Sequence, residues 1–537
     1  MSGSITLENR FGVNKMELIS LKYAIFVIVL LVLYYCFPKK YRWYVLLAGS
    51  MAYYVIICKW YVLFIIFTIC TTYGSTIWID KLLKEQNAIV KSHKEDWDRQ
   101  TRKEYKEKGR KKRVAVMLFA LLCNFGILAF LKYIPYAGEL GLLLPLGISF
   151  YTFQSMGYVM DVYREIVEPE KNFLKVALFV SFFPQIIQGP IAIYDKLAGQ
   201  LYEGHSLRLE NLQKGALLVL WGVMKKLVIA DRAVNIINFV MDKPMDFSGT
   251  YVFFAAVVYA LQLYADFSGG IDIVRGIAEM FGITMSTNFN HPYFSRSLTE
   301  YWHRWHMTLG DWCRNYIFYP LSISKRFLNF GKWLKPRFGA HISKVLPGCI
   351  ASVITFIVIG VWHGANMKYL CFGLWNGIVI MLAELFAPVN KKVAGGFFKL
   401  TGLREKGIFA TIVSVLWTFM LILVGYYFDI AANASTAFHM LFKSVTDFHI
   451  SELGINNIIL NLGACGLDEY DILLLIICTL LWFFISFVEE NKKLDMRDFI
   501  LSRKLPLRWA IIYLGIFIVI IFGYYGPGVN PADFVYM

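Results

Sequence analysis

Long apolar runs recur along the whole chain. Leu, Ile, Val and Phe gather in blocks of roughly 18–22 residues, the length a helix needs to cross a bilayer core. That pattern leaves few folds open, because in lipid a segment must satisfy its own backbone N–H and C=O groups. The blocks fall near residues 23–37, 43–57, 61–79, 114–134, 141–160, 173–193 and 214–240, then 251–283, 347–362, 369–387, 407–430, 470–488 and 508–525. A soluble protein with one large core is excluded, since so many blocks outrun an ordinary buried strand or helix. Only 17% of residues are charged, against about 25% in soluble domains. The expected fold is all-α: a polytopic integral membrane protein of about ten to twelve spans, some blocks being re-entrant or split into shorter helices. No repeat or low-complexity linker interrupts the chain, so 1–537 is expected to be a single membrane domain.

The net charge of +16 is placed where membrane topology wants it. Residues 81–113 hold 13 Lys/Arg and 6 Asp/Glu between two apolar blocks. A cytoplasmic loop explains this excess through the positive-inside rule, and a nucleic-acid partner is not expected. The segment 80–113 is dense in Lys and Glu and lacks Pro, which predicts a helical, solvated loop. Placing it with Lys39–Arg42 in the cytoplasm puts the N-terminus outside. The first twenty residues are polar and show no leader-cleavage pattern. Nine cysteines without a Cys-x-x-Cys pair give no support for a metal or disulfide framework.

Two histidines stand inside apolar surroundings. His306 lies in Tyr301-Trp302-His303-Arg304-Trp305-His306-Met307-Thr308-Leu309, and His363 ends an apolar run in Val361-Trp362-His363-Gly364-Ala365-Asn366. An ionisable residue at membrane depth is costly and marks a functional site by default, and histidine moves protons near neutral pH. Gly360 and Gly364 permit close backbone approach and a helix break at His363, and Asn366 suggests that His363 lines a cavity.

The stretch 286–320 is too polar to span and too aromatic for a common loop. Asn288 and Ser297 are candidate helix starts, and Ser297 with Glu300 forms a capping-box pattern. An amphipathic helix from Ser297 would put His306 and Cys313 on one face. Residue types alone favour an interfacial helix carrying an aromatic belt. His306 and Asp311 reproduce a His-x4-Asp spacing seen in glycerolipid acyltransferases, a spacing that also recurs by chance. A further apolar block carries Asp266 and Asp272 beside Gly269-Gly270; pairing, with Arg275 or across the bundle, is the expected use of these acids.

Taken jointly, several motifs resemble the membrane-bound O-acyltransferase family, and within it the bacterial alginate O-acetylase-like branch. They are Pro145-Leu146-Gly147-Ile148-Ser149-Phe150-Tyr151, Gln188-Gly189-Pro190, Lys225-Lys226-Leu227-Val228-Ile229-Ala230-Asp231-Arg232, Asp266-Phe267-Ser268-Gly269, Asn288-Phe289-Asn290-x-Pro292-Tyr293, Arg304-Trp305-His306-x-Thr308-Leu309 and Trp362-His363-Gly364. Three departures stand out: His303 where the branch carries Arg, Gly270-Ile271 in place of Tyr-Ser, and a shortened aromatic ending at Phe534-Val535-Tyr536-Met537.

The resemblance implies helices ringed about a central funnel and transfer of an acyl group, acetyl foremost, to a hydroxyl of a cell-envelope polysaccharide. It implies a cytoplasmic thioester donor, acetyl-CoA or a carrier-bound acyl group, with no tightly bound cofactor and no metal. An extracellular esterase-like or acetyltransferase partner, an acyl carrier protein and membrane lipid are the implied partners, at the plasma or inner membrane. His363 matches the family's catalytic histidine and is expected to act as general base, with His306 orienting the acceptor, polarising the thioester or relaying a proton. Arg304, Trp305, Trp362, Asn366, Asn288 and Asn290 are expected at the substrates, and 286–320 is expected to be an interfacial catalytic segment. Cys313 as an acyl-enzyme nucleophile, D-alanyl transfer toward teichoic acid, and a flippase using Asp266, Asp272 and Arg275 remain as alternatives.

Overall fold

The computed structural model describes residues 17–134, 138, 141–142, 144–402, 404, 407–454, 457, 463–525 and 534. The polar N-terminal sixteen residues and the closing Val535-Tyr536-Met537 therefore lie outside the described residues. In chain order the main helices are α1 (Leu21–Cys36), α2 (Arg42–Cys58), α3 (Val62–Ser92), α4 (Arg99–Tyr133) and α5 (Ile148–Tyr163). Then come α6 (Phe173–Ser181), α7 (Phe183–Gln188), α8 (Tyr194–Glu203), α9 (Leu209–Met224), α10 (Asp231–Met241) and α11 (Gly249–Met280). The remainder are α12 (Leu298–Arg304), α13 (Met307–Cys313), α14 (Lys325–His363), α15 (Met367–Leu385), α16 (Ile408–Ile430), α17 (Ala434–Thr446), α18 (Glu469–Lys492) and α19 (Leu505–Phe522).

Among the described residues, 8 stretches are long and apolar enough to cross a membrane, and the first, Lys39–Ser92, holds both α2 and α3. Two shorter apolar stretches, Leu21–Cys36 and Phe173–Gln188, add to these. The chain is thus a multi-pass helical membrane protein, and among the described residues some apolar blocks do not form single uninterrupted spans. Those departures have local causes. Block 141–160 becomes helical only at Ile148, after Gly147 turns with φ 68°. Block 173–193 breaks at Phe182–Pro184. Block 214–240 is interrupted by a π-turn, Lys225–Ala230, that buries two lysines. Apolar length alone does not distinguish a lipid-facing span from an interior helix that is apolar all round.

The chain divides into two compact units. One comprises the described residues up to 219 and 270–286, the other the described residues of 220–269 and from 287 on. In the first, α5 is buried along nearly its whole length. Gly147 precedes it because a Cβ there would stand 2.1 Å from the Ile186 carbonyl oxygen. The basic segment 80–113 is formed by the C-terminal end of α3 and the N-terminal end of α4. Asp98 caps α4 by accepting from Thr101 N–H (2.9 Å), and Gly109 gives room to the Gln86 amide. Arg113 is tied to Glu165 at 2.9 Å, and Asp272 pairs with Arg275 at 3.5 Å.

In the second unit, α14 and α15 form a tight antiparallel hairpin. A Cβ at Gly373 would lie 2.3 Å from the Phe356 carbonyl oxygen, and one at Gly377 2.9 Å from Val353 Cα. Small residues at these points let two backbones approach, which is how helices associate where lipid offers no hydrophobic drive. The hairpin turns at His363: α14 ends there, Gly364 is extended, and Asn366 caps α15 by accepting from Lys368 N–H (3.1 Å).

The π-turn is a second fixed point of this unit. Lys226 Nζ lies 2.6 Å from Asp266 and 2.9 Å from Asp231, and all three side chains are buried. Lys225 donates to Ser268 Oγ (2.8 Å). The Leu227 carbonyl accepts from Tyr524 N–H (2.9 Å), and the Phe534 ring stands 4.3 Å from the Lys226 ammonium.

Candidate active site

The segment around His306 is not one amphipathic helix. Ser297 starts α12 as expected, accepting from Glu300 N–H at 3.1 Å. Glu300 reaches back to Arg296 N–H (2.8 Å) rather than to Ser297 itself. The helix then stops after Arg304, and His306 adopts a left-handed backbone (φ 43°, ψ 52°) as the N-cap of α13. A non-glycine residue here carries strain of order 1 kcal/mol or more, tolerated where surrounding structure over-determines it.

What holds the break is Asn288. Its backbone carbonyl accepts from Met307 N–H (2.9 Å). Its side-chain Oδ1 accepts from Thr308 N–H (3.1 Å) and Thr308 Oγ1 (2.9 Å), and lies 3.1 Å from His306 Nδ1. Orphan N–H groups at the start of α13 are thus satisfied by a residue twenty positions upstream. Asn288 is not a helix start, although it is fully buried.

Aromatic rings enclose this turn. Trp305 packs against Phe289 (5.0 Å between centroids), Tyr301 (5.6 Å) and Tyr264 (6.0 Å). Tyr293 and Tyr301 both share hydrogen bonds with the Tyr426 hydroxyl, at 3.1 and 2.7 Å. Trp302 Nε1 donates to Asn376 Oδ1 of α15 at 3.0 Å. These rings face the interior of the unit, in contrast to the interfacial belt that residue types favour.

The His306 ring meets Phe267 edge-on at 4.9 Å and Trp362 at 6.3 Å. The Trp362 ring in turn lies 4.9 Å from His363. His363 is flanked by Tyr369 (5.8 Å, near-parallel) and Phe372 (5.5 Å). A Cβ at Gly364 would stand 2.6 Å from the Tyr369 ring, so the glycine after His363 makes room for that ring. The two imidazoles are near enough to interact electrostatically: burial, reinforced by His363, pushes His306 down to about 3. His306 is therefore neutral throughout the physiological range. Its Nε2 is buried and has no hydrogen-bond partner among the described residues.

Of the residues expected at the site, His306, His363, Trp305, Trp362 and Asn288 come together. Arg304 is committed elsewhere, to Glu300 (2.7 Å) and Glu490 (3.0 Å). Asn290 is exposed and bonded through its backbone to Arg304. Asn366 is exposed and serves as a helix cap. Asp311 pairs with Arg314, so the His-x4-Asp spacing does not make a catalytic pair. Cys313 is buried and its thiol is pushed up to about 12, which leaves no thiolate for an acyl-enzyme step. Thr308 and Phe267 stand within motifs of the resemblance, but neither was assigned a role at the site from sequence. The described residues contain no group of three or more His, Cys, Asp or Glu placed to hold a metal ion.

Fold and site together define a polytopic helical membrane protein with a two-histidine centre, His306 buried and His363 half-buried. Residues 169–335 match the membrane-bound O-acyltransferase family. It is 30% identical over 315 residues to the probable alginate O-acetylase of Pseudomonas syringae pv. tomato, covering 58% of this chain and 54% of that protein. It is 30% identical over 314 residues to the peptidoglycan O-acetyltransferase of Helicobacter pylori, covering 51% of this chain and 56% of that one. With the teichoic acid D-alanyltransferase of Bacillus subtilis the identity is 26% over 288 residues, 52% of this chain and 67% of the relative. The chain thus spans little more than half the length of the first two relatives.

Proposed function

We propose that the protein is an O-acyltransferase of the plasma or inner membrane, with its N-terminus outside. It moves an acyl group, acetyl foremost, from a cytoplasmic thioester to a hydroxyl, for O-acetylation of a cell-envelope or extracellular polysaccharide. Acetyl-CoA or a carrier-bound acyl group is the donor, and an extracellular esterase-like partner completes delivery to the glycan. The observation that carries this reading is the buried His306 Nε2, unpartnered among the described residues, beside His363. The family match over residues 169–335 and the O-acetyltransferase relatives support it.

A hydroxyl far from ionising at neutral pH needs a base to attack a thioester. In direct transfer the hydroxyl oxygen bonds to the acyl carbon while its proton passes to an imidazole. The C–S bond then breaks, and the departing thiolate takes that proton. A neutral His306 beside His363, both set among aromatic rings, suits such a step, and the buried Cys313 thiol does not suit a covalent detour. The resemblance gives the base to His363.

The test is transfer of labelled acetyl from acetyl-CoA by the full chain in lipid. Wild type should consume the thioester and His363→Ala should not, at equal protein level. An inert wild type sinks the acetyl-CoA reading. D-alanyl transfer is favoured instead if a charged carrier protein alone restores turnover, a reading supported by the Bacillus subtilis relative. The flippase reading is less favoured, since a structural role accounts for Asp266 paired with Lys226 and Asp272 with Arg275.

A further inference from the structure

We propose that Asn288 is a positioning residue that fixes His306 as the Nδ1-protonated tautomer, so that Nε2 presents a lone pair that accepts the hydrogen bond of the acceptor hydroxyl and orients it for the base, His363. This rests on the acyl-transfer reading for its chemistry, but not for its geometry. Thr308 N–H is a backbone group and can only donate. The Asn288 side-chain atom 3.1 Å from it is therefore the oxygen, which settles the orientation of the amide. Thr308 Oγ1 converges on the same oxygen at 2.9 Å. The His306 Nδ1, also 3.1 Å from that oxygen, faces an acceptor and must supply the proton. In a neutral imidazole the other nitrogen is then bare.

Burial keeps the ring neutral, so the tautomer is the state that matters. The left-handed backbone at His306, the cap on α13 and the Phe267 edge leave the ring little freedom to flip. The Asn288 oxygen already receives from three groups, which removes it from substrate contact. Its Nδ2 is buried without a partner among the described residues, and is the one polar atom of that side chain left to meet a substrate. His306 Nε2 thus orients the hydroxyl, and the half-buried His363 beside it takes the proton. The imidazolium that forms there is offset by the oxyanion developing on the acyl carbon.

The experiment uses the full chain in lipid nanodiscs with 15N-labelled histidine, His306 being assigned by the signals lost in His306→Gln. At neutral pH the wild type should show a protonated Nδ1 and a bare Nε2. Asn288→Asp keeps an acceptor for Thr308 and His306 but adds a charge, so the ring's titration should move up by about one unit or more. The acid limb of kcat should move with it, whereas a purely structural role would lower kcat without moving the limb. A protonated Nε2 in the wild type, an unmoved titration, or an unmoved acid limb each overturns the proposal. If the wild type transfers no acyl group from either donor, the function above fails, and the 15N signals still decide the role of Asn288.

Discussion

Gly360 and Tyr369 face each other so closely that a Cβ on the glycine would stand 2.3 Å from the tyrosine's carbonyl oxygen. The obstacle is backbone, which cannot swing aside. Gly360→Val should therefore force the α14–α15 hairpin apart at a cost of about 1–3 kcal/mol and displace His363 at its tip. Thermal unfolding in detergent and acyl transfer should both fall. Gly348→Ala on the same helix, where nothing lies within 4 Å of the added carbon, should be silent in both.

His306→Ala and His363→Ala should each lower acyl transfer by about a hundredfold or more, the range for loss of acid–base chemistry. Yield and unfolding temperature should stay near wild type for His363, which is only half-buried. Transfer retained in His363→Ala would remove it from the reaction.

Protonation should also be visible in stability. His306 is lowered from 6.5 to about 3 in the folded protein, so the unfolded chain binds its proton first as pH falls. The folded state loses stability progressively from about pH 6.5 downward and is unaffected above it. Wild type and His306→Asn should therefore converge or cross in unfolding temperature between pH 7.5 and 4.5. A constant difference would show that His306 is not held neutral.

Lys226→Met should destabilise the protein by about 3–5 kcal/mol, because Asp266 and Asp231 are left buried without their cation. Membrane yield is the measurement. Adding Asp266→Leu should recover part of the loss, and recovery with acyl transfer intact would mark the cluster as structural rather than as a coupling site.

Arg304→Gln should lower unfolding temperature through its lost pairs with Glu300 and Glu490, while KM for donor and acceptor stays within about twofold of wild type, as expected of a group whose charge is already spent. A large rise in KM would return Arg304 to the substrate.

Much of the site was legible because its signals are local. An ionisable residue in an apolar run, a Ser-x-x-Glu start and paired glycines each act within a few positions, and His306, His363, Ser297 and Gly360 could be singled out. The break between Arg304 and Met307 was hidden. Nothing at His306 itself favours positive φ, and the cause is Asn288, eighteen residues away. The charge of Arg304 suggested a substrate anion because its partner Glu490 lies 186 residues further on. The course of the spans was less legible: block 141–160 is helical from Ile148, and that helix, α5, carries Gln154 and Asp161 and is buried along nearly its whole length.

The ion pair at the π-turn has a consequence for how the protein is made. Lys226 meets Asp231 within its own segment, but Asp266 is synthesised forty residues later. Until then a lysine in an apolar stretch holds only one of its two counter-charges. Burying that lysine without Asp266 is costly, so the segment should pack only once α11 has been made, and the two should settle together.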